Sequence, residues 1–96
     1  MELMYVVSSR DAQTLLPPLL RATRRRGAGW SVFFTGEGVA VLRDPELATL
    51  VAEAGRAVVC EHSWLRHCDG TPCPVELGSQ TDHSAMIADA SKVISL

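Results

Sequence analysis

The sequence predicts an α/β fold: a mainly parallel sheet of four or five strands with helices on both faces. Three observations carry that expectation. Short strand-like runs rich in β-branched and aromatic residues fall at 4–7, 30–34, 57–60 and 92–96. Helical segments separate them, and the order βαβαβαβ favours parallel strands joined by right-handed crossovers. The chain has 96 residues, enough for one domain and too few for a second core.

Met4-Tyr5-Val6-Val7 reads as a buried strand, followed by Ser8-Ser9-Arg10-Asp11 as a helix N-cap region. Leu15, Leu16, Leu19, Leu20 and Thr23 then recur on one helical face. Pro17-Pro18 interrupts that face, so the helix is expected either to kink or to restart at the prolines. Arg24-Arg25-Arg26 before Gly27 is a helix C-terminus, with cations at the negative end. Trp30-Ser31-Val32-Phe33-Phe34 is too continuously apolar for a sheet with one wet face. Thr35-Gly36-Glu37-Gly38 reads as a tight turn. Asp44-Pro45-Glu46 opens the next helix as cap, proline and acidic first turn; Leu47, Leu50, Val51 and Ala54 follow at helical spacing, and Gly55 closes it. Ala57-Val58-Val59-Cys60 is the third strand. A short helix over 63–67, an irregular stretch over 68–78, a capping box at Ser79-Gln80-Thr81-Asp82 and a short helix through Ala85, Met86 and Asp89 lead to the last strand.

Composition narrows the function classes. Hydrophobic residues make up 47% and charged residues 21%, which excludes a disordered or collagen-like chain. Nine basic against eleven acidic residues leave a net charge of −2, opposite to the basic surplus of a nucleic-acid binder. No apolar run exceeds five residues, against the ~20 that a spanning helix needs, so no membrane insertion is expected. The N-terminus lacks a basic region ahead of its apolar run, and a cytoplasmic location is expected, where thiols stay reduced. Three cysteines are an odd number and a poor disulfide framework.

In a parallel sheet the ligand site lies beyond the C-terminal strand ends. The residues expected there are Ser8 and Ser9, Thr35, Gly36, Glu37 and Gly38, and Cys60-Glu61-His62. Cys60 stands between a buried strand and a helix start, where a helix dipole favours the nucleophilic thiolate; His62 and Arg66 would add positive potential. The alternative is that Cys60 is a small apolar packing residue. Cys60 and Arg66 also match the C-x5-R spacing of a phosphate loop, but Glu61 and Trp64 are too bulky for a cradle of converging N–H groups. Cys60, His62, His67, Cys68, Cys73 and His83 carry ligand atoms, without the paired spacing of a structural zinc site. Gly36-Glu37-Gly38 is a weak signal, without the G-x-G-x-x-G or Walker pattern of a nucleotide loop. Neither a cofactor nor a resident metal is expected.

Val32-Phe33-Phe34-Thr35-Gly36-Glu37-Gly38-Val39 resembles the DsrE/DsrF-like family, which includes the TusBCD-type sulfur-relay subunits. Tyr5-Val6-Val7-Ser8-Ser9, the helix ending at Gly27, Val58-Val59-Cys60 before a helix with Arg66, Gly78-Ser79, and the closing Asp89-Ala90-Ser91-Lys92-Val93-Ile94 extend the resemblance along nearly the whole chain. It implies a three-layer α/β/α sandwich forming homo- or hetero-oligomers, and a cysteine after the third strand, here Cys60, carrying persulfide sulfur. Cys68 and Cys73 have no counterpart in the family. The expectation is a small cytoplasmic sulfur carrier or sulfurtransferase exchanging sulfane sulfur with donor and acceptor proteins, with Cys60 as the reactive thiol and Cys68 and Cys73 as possible resolving thiols. A homo-oligomer (dimer, trimer or hexamer) is expected, because so small a chain buries its apolar surface poorly alone. The alternative function is a non-catalytic oligomeric binding or redox-regulatory module on the same fold.

Overall fold

The computed structural model describes residues 2–96. Five strands, β1 (Leu3–Val7), β2 (Trp30–Phe34), β3 (Arg56–Cys60), β4 (Glu76–Gly78) and β5 (Lys92–Ser95), form one sheet in the order β4-β3-β2-β1-β5. Every neighbouring pair is parallel. Helices α1 (Ala12–Arg26), α2 (Pro45–Val51), α3 (Glu61–Cys68) and α4 (Gln80–Asp89) connect them, with a 3-10 segment, Gly36–Arg43, ahead of α2. The expected α/β architecture is present.

The strand order decides the layers. The chain steps in one direction from β1 to β4, so right-handed crossovers place α1, the 3-10 segment with α2, and α3 on one face. The return from β4 to β5 crosses the whole sheet and puts α4 on the other face. Strand alternation supplies two separate cores. Tyr5, Val7, Val32, Phe34 and Val59 pack against Leu16, Leu20, Val39, Leu47, Val51 and Trp64. Met4, Val6, Phe33, Val58 and Cys60 pack against Met86 of α4. Three helices therefore cover one face and a single ten-residue helix the other.

Several elements differ from the sequence expectation. β4 lies inside the stretch read as irregular; only three residues long and largely exposed, it is a strand because β3 offers a paired edge. The two prolines neither split nor end α1, which runs from Ala12 to Arg26 as one helix with both prolines inside it. Their missing N–H groups free the carbonyls of Gln13 and Thr14, both on exposed residues of the first turn. Asp44 caps α2 as expected, accepting from the Glu46 N–H at 2.9 Å, although the helix ends at Val51 rather than at Gly55. The Thr35–Gly38 turn continues directly into the 3-10 segment. There Gly38 passes against β1 so closely that a Cβ would lie 2.3 Å from the Val7 carbonyl oxygen, so only glycine fits.

Candidate functional site

β3 ends at Cys60 and α3 begins on the next residue. Cys60 is thus at a C-terminal strand end and is the N-cap of α3, with extended backbone. Alternation along β3 turns it to the α4 side of the sheet, beside Val58 and Phe33. A helix start presents N–H groups that lack intrahelical acceptors. The sulfur makes no capping bond of ordinary length, yet the N–H groups of His62 and Ser63 face it closely enough to favour its charged form.

Burial pushes the Cys60 thiol up. The Ser63 hydroxyl and N–H, the Gln80 side chain and the His62 N–H oppose it, and the net direction is down, below the ordinary thiol value. Ser63 is buried, and its Oγ accepts the Gly36 N–H at 2.9 Å, which leaves its own O–H to donate to the sulfur. Gly36 delivers that N–H from a left-handed conformation, φ 55°.

α4 forms the opposite wall. Ser79 and Asp82 close a full capping box at its start, the Asp82 carboxylate accepting the Ser79 N–H at 2.8 Å. Arg56 of β3 pairs with that carboxylate at 3.3 Å and with Glu76 of β4 at 3.1 Å, so one guanidinium ties both strands to the helix start. These contacts hold Asp82 below the ordinary carboxylate range, the Ser79 N–H and hydroxyl foremost and Arg56 after them. Gln80, the first residue of α4, donates from Nε2 to Thr35 Oγ1 at 3.4 Å and also reaches Cys60. Between the walls is an open cleft of about 360 Å³ lined by Cys60, Glu61, His62, Leu65, Gly78, Ser79 and Gln80. Among the described residues, no lysine or arginine lines it.

The residues expected at the strand ends divide into three groups. Cys60, Glu61 and His62 line the cleft, His62 acting on the thiol through its N–H rather than its ring. Thr35 and Gly36 stand behind it, bonded to Gln80 and Ser63. The rest lie apart from the cleft lining: Ser8 bonds to the Leu96 carbonyl, Ser9 accepts the Asp11 N–H, Glu37 is exposed, Gly38 is buried against Val7, and Arg66 is exposed on α3. Gln80 and Ser63 had no sequence signal as thiol partners; only the capping box beside Gln80 was visible.

The two further cysteines are not brought to Cys60. Cys68 ends α3, eight residues along, about 12 Å of helix rise away. Its side chain and that of Cys73 belong to the core on the opposite sheet face. A disulfide needs Cα atoms about 4.4–6.8 Å apart, so Cys60 and Cys68 do not form one without rearrangement. Burial pushes both thiols up. The six candidate ligand residues do not converge either: among the described residues, no three His, Cys, Asp or Glu side chains group as a metal site. No helix among them is long and apolar enough to cross a membrane.

No family model and no curated protein matches the chain. The chemistry therefore rests on the site's own atoms. They form a thiol lowered below its ordinary value, lining an open cleft, with its donors held by two helix starts and the β2 turn.

Proposed function

We propose that this protein is a sulfur carrier of the DsrE/DsrF-like kind, holding sulfane sulfur as a persulfide on Cys60. The observation that carries the reading is the Cys60 thiol itself, lowered by hydrogen bonds from Ser63, Gln80 and the His62 N–H while facing an open cleft. The Cys60 thiolate attacks the terminal sulfur of a donor persulfide R–S–SH; a new S–S bond forms, the donor S–S bond breaks, and R–S⁻ leaves. Attack by an acceptor thiolate on the outer sulfur of Cys60–S–SH reverses the sequence and regenerates the Cys60 thiolate. No external oxidant or reductant enters either step.

A thiolate stabilised by neutral donors is suited to both halves, because the same hydrogen bonds make Cys60 an attacking group and a good leaving group. The reading goes with a reducing compartment such as the cytoplasm, with donor and acceptor proteins, and with a homo-oligomer. Exposed Ile87 and Val93 support the last, since both lie on the thinly covered side of the sheet. Incubation with a persulfide donor followed by mass spectrometry tests the function. The wild-type chain gains about 32 Da, one sulfur, on the peptide holding Cys60. Cys60→Ser gains nothing there, while Cys68→Ser and Cys73→Ser load normally. Sulfur on a peptide without Cys60, or on none, overturns the reading.

A further inference from the structure

Gln80 can stabilise the Cys60 sulfur only if its amide is turned the right way. A glutamine amide offers donors at Nε2 and an acceptor at Oε1, and reversing it exchanges them. The α4 residue one turn later, His83, decides between the two. Its ring lies parallel to Phe33, centroids 4.4 Å apart and planes at 5°. Its Nδ1 stands 3.0 Å from Gln80 Oε1. Its Nε2 is buried and meets no hydrogen-bond partner among the described residues.

A neutral imidazole carries one N–H, and a buried N–H without an acceptor is costly. The proton therefore belongs on Nδ1, where Gln80 Oε1 accepts it, and the apolar ring of Phe33 shields the bare Nε2. With Oε1 so engaged, both amide hydrogens of Gln80 point the other way, one to Thr35 Oγ1 and one to Cys60. The reversed amide would place Oε1 against the sulfur and leave His83 with an N–H at its buried Nε2.

We propose that His83 is a positioning residue for the Cys60 thiol, stacked on Phe33 so that its Nδ1–H fixes the Gln80 amide with the donors towards the sulfur. The inference rests on the reading of Cys60 as the reactive thiol. The other titratable side chains at the cleft are Glu61 and His62, from the start of α3, and Asp82 stands beside His83 in the capping box.

Two substitutions separate donor from stack. His83→Phe keeps an aromatic ring on Phe33 and removes the N–H; His83→Asn removes the ring and retains a donor near the Nδ1 position. The rate of Cys60 alkylation is measured from pH 5 to 10 in a Cys68→Ser/Cys73→Ser background, with thermal midpoints and the Gln80 side-chain amide resonances as fold and orientation controls. In His83→Phe the alkylation midpoint rises by about half a unit or more and the Gln80 amide resonances shift. His83→Asn restores the wild-type midpoint. A wild-type profile in His83→Phe, or a midpoint in His83→Asn as high as in His83→Phe, overturns the positioning role alone. A Cys60 midpoint at the ordinary thiol value in the parent overturns the carrier reading and this inference together.

Discussion

At the scale of single residues, one cysteine of three has its thiol lowered, because of where its sulfur sits. All three thiols pay for burial, but only Cys60 has donors enough to reverse the sign. Its folded pKa lies below the unfolded value, so its thiolate stabilises the fold above the ordinary thiol range, and that contribution disappears as pH falls through the lowered value. At pH 7, iodoacetamide is therefore expected to modify Cys60 ahead of Cys68 and Cys73, read as peptide masses over time. Ser63→Ala tests the cause. It removes the hydroxyl donor and leaves the Gly36 N–H without its acceptor. The Cys60 alkylation midpoint should rise, and stability should fall by about 1–2 kcal/mol. An unchanged midpoint would show that the Ser63 hydroxyl does not act on the sulfur.

At the scale of elements, the site is a junction of chain segments that enter at close quarters. The 3-10 segment begins where Gly36 bonds to Ser63 of α3, and two residues later Gly38 presses on the Val7 carbonyl. Gly38→Ala forces backbone against backbone, with no flexible side chain to yield. It is expected to cost about 3 kcal/mol, lowering the thermal midpoint by roughly 12 °C or more at about 4–8 °C per kcal/mol for a domain of this size. Because the same segment holds the Gly36 N–H, Cys60 alkylation should slow as well. A thermal midpoint within a few degrees of wild type would mean that β1 and the turn separate easily, contrary to the contact described.

On the whole-molecule scale, the uneven layering is the dominant fact. One face has three helical elements over it and buries its strands completely at Tyr5, Val7, Val32 and Phe34. The other has α4 alone, and Ile87 and Val93 remain 43% and 39% exposed. Leu65 and Leu77, at the cleft lip and on the edge strand β4, are 57% and 44% exposed. Exposed apolar side chains on a chain of 10.4 kDa favour association of copies. Light scattering at micromolar concentration is expected to return a multiple of that mass, and Ile87→Lys with Val93→Lys to return the monomer. A wild-type mass near 10.4 kDa would exclude the oligomer.

What the sequence determined by itself was local. The four main strands, the Asp44 cap of α2, the Ser79–Asp82 capping box and the place of Cys60 between a strand and a helix depend on residues within a few positions of one another, so periodicity and cap chemistry expose them. The parallel sheet followed from their alternation. Tertiary structure decided the rest. β4 has almost no strand signal in Glu76-Leu77-Gly78 and exists because the β3 edge pairs with it. The order β4-β3-β2-β1-β5 sends one helix alone across the sheet, and with it Gln80 and His83 towards the thiol. The Ser63–Gly36 and Gln80–Thr35 bonds join residues 27 and 45 positions apart, a separation over which no spacing rule operates. Cys60 and Cys68, close in sequence, are parted by the length of a helix and the thickness of the sheet, because a strand end and a helix end face different cores.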